Sequence, residues 1–328
     1  MSAPPDGIEV VPASPEHEPA ILDLLATTLG RVGSAREVEF FRWKHTRNPF
    51  GRSPGWVAVD GVDVVAFRTF LRWEFRHGDR RVRAARAVDT ATRSDYQGRG
   101  LFTTLTLVAL EALRADGVDF IFNTPNDQSR PGYLKMGWHV VGRLPTVLRP
   151  TSVRTVRKLV GARRPAERWS CASSSGVPAA EALSDGPVID RLLDSLPDVA
   201  GLRTRRSVDY LRWRYGWQEL QYRALSASSD PAEGLALFRI RRRGPAVEAS
   251  LCELLVPDGQ LAVARHLVGQ VARAAEVDHV IALSPPSVGA GLLPVPRIGP
   301  ILTWRGLAMA TAPARSEWSL SLGDVELF

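Results

Sequence analysis

The residues best placed to do chemistry lie in VDTATRSDYQGRGLFTTLTLVALEAL, residues 88–113. A strand is expected to end near Thr92, a short loop carries Gln97-Gly98-Arg99-Gly100, and a helix starts at once at Leu101. Such a turn is an anion cradle: glycine lets the backbone approach a ligand, successive N–H groups point outward, and the positive end of the helix dipole favours phosphate. The GxxxxGK[ST] of a Walker loop is absent, and the GxGxxG of a dinucleotide fold is incomplete. Strand-to-helix turns also use glycine for geometry alone, so the loop by itself leaves both readings open.

The elements that must position this loop follow from pattern. Ile8 to Val11 reads as a first strand. Ser14-Pro15-Glu16 opens a helix with an N-cap oxygen, proline at N1 and an acid in the first turn. Ile21, Leu22, Leu25 and Leu29 give that helix its apolar face, and Gly30 ends it. Ser34 and Glu37 form a capping box for a second helix carrying Phe40, Phe41 and Trp43. Strands are expected at Trp56–Val59 and Val62–Phe70 around Asp60-Gly61, then at Ala84–Thr92. The helix Leu101–Ala115 presents Leu101, Leu105, Val108 and Ala112, followed by a strand at Val118–Asn123 and a short helix holding Tyr133. Trp138 to Leu148 is expected to be extended. The order β-α-α-β-β-β-α-β-α-β specifies an α/β (α+β) domain whose mixed sheet is flanked by helices.

A chain of 328 residues suggests two such domains. We read residues 1–150 as the first, 151–186 as a linker or insertion, and 187–328 as the second. The linker reading rests on the basic TSVRTVRKLVGARRP and the small, polar SCASSSGVPAAEALSDG. The second half reads as a repeat of the first, the alternative being the loose alignment that any two α/β segments allow. Phe41-Arg42-Trp43-Lys44 recurs as Leu211-Arg212-Trp213-Arg214, Val65-Ala66-Phe67 as Ala236-Leu237-Phe238, Leu101–Ala115 as Leu261–Ala275, and Phe120-Ile121 as Val280-Ile281.

DYQGRGLF resembles the pyrophosphate-binding motif of the GNAT acetyltransferases, Gln/Arg-x-x-Gly-x-Gly/Ala, through Gln97, Gly100 and the place held by Phe102. Phe102 is larger than the family's usual residue. Downstream, NTPNDQSRPGYLKMGWHVVGR resembles the family's Asn-bearing strand end followed by Tyr-x-x-x-Gly-Phe, here Tyr133 to Trp138. The resemblance spans residues 8–148 and implies an acyl-CoA-dependent N-acyltransferase. It implies that the pantetheine arm inserts between two splayed central strands and pairs with the backbone near Thr90 to Arg93. An amide at Ala91 or Thr92 would polarise the thioester carbonyl. The amides of Gly98, Arg99, Gly100, Leu101, Phe102 and Thr103, beside Gln97, would hold the pyrophosphate. Tyr133 would be the general acid for the departing thiolate, its alternative being a packing role. Asn126 would bond pantetheine or support the helix of Tyr133. Because an amine arrives as ammonium, a base is needed. Asp89 is the first candidate, with a salt bridge to Arg83 or Arg86 as its alternative, and His45 is the second. Trp43 and Phe50 would line the acceptor pocket or the core.

The second half carries Leu255-Val256-Pro257-Asp258-Gly259-Gln260 where the cradle would recur, and no tyrosine in SPPSVGAGLLPVPRIG. It is read as a degenerate copy, giving tandem GNAT-like mixed sheets, with Trp304 and the final WSLSLGDVELF closing the second one. Acetyl-CoA is the expected co-substrate and a small-molecule primary amine the expected acceptor. A protein lysine, and a CoA sensor or scaffold without turnover, are the alternatives. A homodimer is left open. The net charge of +7 admits nucleic acid, but no recognition motif accompanies it, so no nucleic-acid partner is expected. No apolar run approaches the ~20 residues of a membrane span. The start of the chain lacks a signal-peptide pattern, and Cys171 and Cys252 form no CxxC, so a cytoplasmic protein without a metal is expected.

Overall fold

The computed structural model describes residues 7–30, 33–152, 155, 158, 165–274, 277–283 and 289–326. Most of TSVRTVRKLVGARRP, and SPPSV within the stretch where a second tyrosine would fall, lie outside the described residues. In chain order, β1 (Ile8–Pro12) precedes α1 (Glu18–Leu29), α2 (Ala35–His45), β2 (Gly55–Asp60), β3 (Asp63–His77) and β4 (Arg80–Thr92). Then come α3 (Leu101–Ala115), β5 (Phe120–Asn123), α4 (Arg130–Lys135), β6 (His139–Arg143) and β7 (Thr146–Pro150). Next are β8 (Val177–Pro178), α5 (Ala179–Ala182), α6 (Gly186–Asp194), β9 (Leu202–Thr204), α7 (Val208–Gly216) and β10 (Arg223–Ser226). The remaining elements are β11 (Leu235–Arg243), β12 (Ala246–Leu255), α8 (Leu261–Ala272), β13 (His279–Leu283), β14 (Leu293–Val295), β15 (Ile301–Gly306), β16 (Trp318–Ser319) and α9 (Leu322–Val325).

Local chemistry sets the ends of these elements. The left-handed Gly30 closes α1, and the Ser34 hydroxyl accepts the Glu37 amide at the start of α2. On α3 Leu101, Leu105, Ala109, Leu110 and Leu113 are buried and Val108 packs on the same cluster, as expected, whereas Ala112 is exposed and Leu113 beside it faces the core. Likewise Leu24, and not the exposed Leu29, completes the buried face of α1.

The chain forms two compact units. One comprises the residues up to Gly142 together with Ile301–Ala314, the other Arg143–Pro300 with the residues from Arg315 onward. The first unit holds a sheet of order β1-β2-β3-β4-β5-β15-β6, the second one of order β14-β7-β13-β12-β11-β10-β8. Trp304 therefore does not close the second sheet: it pairs with Phe122 on β5 of the first. Conversely Thr146–Pro150, counted with the first half, pair with β13 in the second. Apolar alternation marks a strand but does not name its partner. Part of the expected linker is also built in, since the Glu167 and Cys171 amides donate to Arg242 and Ile240 of β11.

In the first unit two apolar clusters cover the sheet. Phe70, Ala85 and Ala87 pack with α3 and with Tyr133, whereas Phe67 and Ala91 pack with Ile21, Leu24 and Leu25 of α1. One feature of the ladder matters for function. β4 and β5 are parallel and paired only over Ala84–Arg86 and Phe120–Phe122. Beyond Arg86, β4 continues to Thr92 bonded to β3 alone. The two central strands splay.

Candidate active site

The free edge of β4 is shaped by a bulge. Arg68 stands opposite Thr90 while Thr69 stands opposite Val88, so Asp89 is the extra residue, with φ of 33°. A positive φ is uncommon outside glycine, and aspartate is among the residues that tolerate it best. The Arg93 amide donates to Val65 O at 2.9 Å. By the alternation of an antiparallel ladder the Ala91 amide also faces β3, while those of Thr90 and Thr92 face the open edge. Of the two amides expected at the thioester, Thr92 thus has the orientation required. Arg93 offers neither group: its guanidinium pairs with Asp95 at 2.9 Å and Asp63 at 3.2 Å.

The loop after β4 is a cradle with room in front of it. Gly98 and Gly100 have φ of 77° and 80°, and a Cβ built on either would meet nothing within 4 Å. Among the described residues, no acceptor takes the amides of Gly98, Arg99, Gly100, Leu101 or Phe102. The Thr103 amide, expected to join them, instead makes the first helical bond to Gly100 O. Five outward donors at a helix N-terminus are what an anion needs. Gln97 donates from Nε2 to Thr92 O at 3.3 Å, tying loop to strand. The Arg99 guanidinium bonds Asp95 O and lies 4.5 Å from the Tyr96 ring. The large Phe102 is accommodated because α4 carries Gly132 opposite it, where a Cβ would come within 3.2 Å of the ring.

Tyr133 sits on α4, buried between Phe102 and Trp138 with ring centroids 5.5 and 5.2 Å away. Asn126 launches this helix, its Oδ1 accepting the Ser129 amide at 2.8 Å and its carbonyl the Arg130 amide. Both bonds hold the start of the helix. Sequence reasoning missed Arg68, which is fully buried on β3 and donates from one terminal nitrogen to the Tyr133 hydroxyl at 2.8 Å. Its other terminal nitrogen donates to Thr90 Oγ1. The available signal was a lone charge inside the apolar run VVAFRTFL.

Both base candidates meet on the α1–α2 side of the sheet. Asp89 Oδ2 accepts from Lys44 Nζ at 2.7 Å and lies 2.8 Å from His45 Nε2, and all three side chains are buried. The expected partners of Asp89 lie elsewhere: the Arg86 guanidinium donates to Thr124 Oγ1, and Arg83 flanks Asp119 and Gly117. Between α1 and α2 lies a cavity of about 490 Å³, lined in part by Glu18, Asp23, Glu37, Leu25 and Phe41. Leu25 and Phe41 belong to the same apolar cluster as Ala91. Phe41 also contacts His45, with ring centroids 4.6 Å apart. Trp43 and Phe50 do not line that cavity; Trp43 is buried and packs on Phe40, and Phe50 packs edge-on against Trp73.

The second unit lacks this equipment at the positions aligned with it. Its α8 starts after Asp258-Gly259-Gln260, where the Asp258 carboxylate itself accepts the Gly259 amide. A carboxylate at that point repels a phosphate. Where β3 has Phe67-Arg68, β11 has Phe238-Arg239, and Arg239 lies 3.5 Å from the Glu326 carboxylate. Where α2 presents His45 to Asp89, α7 presents Tyr215, which donates to Glu253 of β12 at 2.8 Å. Among the described residues, no cluster of three or more His, Cys, Asp or Glu is arranged to hold a metal, and no helix is long and apolar enough to cross a membrane.

Comparison with known proteins agrees with this geometry. The chain resembles the structure of a probable N-acyltransferase from Enterococcus faecalis V583, with 13% identity, a TM-score of 0.63, and coverage of 92% of this chain and 73% of that one. A GCN5-related N-acetyltransferase from Kribbella flavida matches with 18% identity and a TM-score of 0.59, covering 92% and 71%. Eis1 from Mycobacterium abscessus matches with 15% identity and a TM-score of 0.54, covering 92% and 74%. At these identities the likeness establishes the fold. No curated protein sequence matches significantly. The profile of the acetyltransferase (GNAT) domain matches residues 9–141, the segment that carries the splayed strands, the cradle and Tyr133. That segment is similar to the GNAT acetyltransferase domain.

Proposed function

We propose that the protein transfers an acyl group, acetyl by default, from acyl-CoA to the primary amine of a small molecule by direct attack in a ternary complex. The observation that carries this is the free edge of β4 followed, after a single turn at Ser94–Tyr96, by five amides that no backbone acceptor takes. The edge suits the amides of a pantetheine arm and the cradle suits a diphosphate. The amine nitrogen attacks the thioester carbonyl, whose oxygen is held by the Thr92 amide. The C–S bond breaks and the sulfur takes the Tyr133 proton, leaving an amide and free CoA; the second N–H proton, lost from nitrogen as the amide forms, passes to solvent, from which Tyr133 is reprotonated. The ammonium proton passes to the His45–Asp89 pair, in which the carboxylate orients the imidazole. Tyr133 packs in the α3 cluster, whereas His45 lies against Phe41, which packs on the α1 cluster. The cavity between α1 and α2 falls in the ~300–1,000 Å³ range of small-molecule sites; Arg42 in its lining pairs with Glu18, and Asp23 and Glu37 leave an excess of acid that favours a cationic acceptor. We read the second unit as a degenerate copy that has lost the cradle.

The test is thiol release from acetyl-CoA across a broad amine panel, comparing the wild type with Gly100→Trp. The variant combines a strained left-handed backbone with a bulky group in the space before the amides, and its KM for acetyl-CoA should rise at least about tenfold. Equal turnover by both proteins would remove the cradle assignment. CoA binding with no release on any amine would favour a sensor. His45→Gln should lower kcat about tenfold or more at neutral pH. That deficit should shrink as pH rises, because free amine then arrives already deprotonated. A deficit that does not change with pH would sink the base assignment.

A further inference from the structure

Arg68 is fully buried and forms no ion pair among the described residues, and its Nε is buried without a hydrogen-bond partner. A buried guanidinium in that condition is costly unless it is used, and the matching Arg239 of the second unit has a carboxylate beside it. The Arg68 guanidinium instead lies against the rings of Phe70, Phe102 and Tyr133, 4.7 to 5.2 Å from their centroids. We infer that Arg68 is the positioning residue of the general acid, an inference that rests on the function proposed above.

The argument is one of donor and acceptor. Arginine only donates, so the Tyr133 oxygen must be the acceptor in the 2.8 Å contact. The phenolic hydrogen cannot point at Arg68 and is left for another acceptor, which in the ternary complex is the departing sulfur. The second arm of Arg68 holds Thr90 Oγ1, and the Thr90 amide faces the open edge of β4. One rigid fork thus fixes the acid relative to the strand that would hold the thioester. Once the proton moves to sulfur, the negative charge left on the phenolic oxygen lies beside a cation in a site closed to water.

The test is steady-state acetyl transfer by Arg68→Met, Arg68→Lys, Tyr133→Phe and the Arg68→Met/Tyr133→Phe double variant. Arg68→Met should lower kcat about 30-fold with the KM for acetyl-CoA within about threefold. In the Tyr133→Phe background the same change should cost less than about threefold, because the group it acts through is gone. Arg68→Lys, which keeps a charged donor, should recover most of the loss. Should Arg68→Met not fold, Thr90→Val leaves the arginine in place. It is expected to lower kcat about fivefold, and to have no effect in the Tyr133→Phe background. Independent, multiplying losses, or a change in KM alone, would overturn the inference while leaving Tyr133 as the acid. Full activity of Tyr133→Phe itself would remove the general acid, and this inference with it.

Discussion

Tyr133→Phe is expected to lower kcat by about 10²–10³-fold while changing the KM for acetyl-CoA by less than about threefold. The substitution removes one oxygen from a ring whose apolar contacts with Phe102 and Trp138 persist. Binding should survive, because the cradle and the β4 edge use backbone amides that the change does not touch. What is lost is the proton delivered to sulfur, so the effect falls on the step in which the C–S bond breaks. The variant also strands one arm of Arg68, so a stability loss of about 1–3 kcal/mol should accompany the kinetic one. Thermal melting and kcat are separate readouts, and kcat should be compared well below the melting temperature of both proteins. A variant with wild-type kcat would make Tyr133 a packing residue.

How much of this was legible in the sequence depends on range. The cradle was readable because its parts are contiguous: strand, two glycines and helix start within one short segment. The role of Asn126 was half readable, since a capping oxygen three residues before an amide is a local pattern. Arg68 was not readable as a partner of Tyr133. The two are 65 positions apart and meet only through the register of β3 on β4 and the placement of α4. The same holds for the Lys44–Asp89 contact, which depends on a bulge that no pattern in the sequence announced. Trp304 shows the limit from another side. Its strand was recognisable as a strand, yet nothing in ILTWRG says that it joins β5 of the first sheet, just as nothing in TVLRP says that it joins β13 of the second.

The helix-to-strand contact differs between the units: His45 meets Asp89, the bulge residue of β4, whereas Tyr215 donates to Glu253, which stands opposite Leu237 in the pairing of β12 with β11. A tyrosine cannot serve as an imidazole does, so proton acceptance by His45 and Asp89 is a property to be tested in the first unit alone.

Glu248→Ala should destabilise the second unit by about 3–5 kcal/mol, since removing one member of a buried ion pair leaves the other uncompensated. Glu248 is fully buried on β12 and accepts from Arg241 at 2.9 Å, from Arg243 and from Ser250 Oγ at 3.0 Å. His279, its neighbour across the parallel pairing with β13, lies 3.7 Å away. Burial alone would push the carboxyl up, but His279, Arg243 and Arg241 outweigh it and hold the group well below the usual carboxylate range. Burial likewise brings the Arg241 guanidinium down to about 10. Arg241 keeps Glu326 as a second partner, which places the expected loss toward the lower end. At about 2–4 °C per kcal/mol for a unit of this size, the melting temperature should fall by roughly 10 °C. The sign with pH follows from the depressed value. The contribution is complete above the ordinary glutamate value of 4.5 and is lost as pH falls toward the folded-state value. The gap between wild type and Glu248→Gln should therefore be widest near neutrality and narrow below about pH 4.5. Because the cradle and Tyr133 belong to the other unit, kcat of the still-folded variant should stay within about twofold of wild type. A loss below about 1 kcal/mol, or a gap that does not change with pH, would mean that these cations do not depend on Glu248.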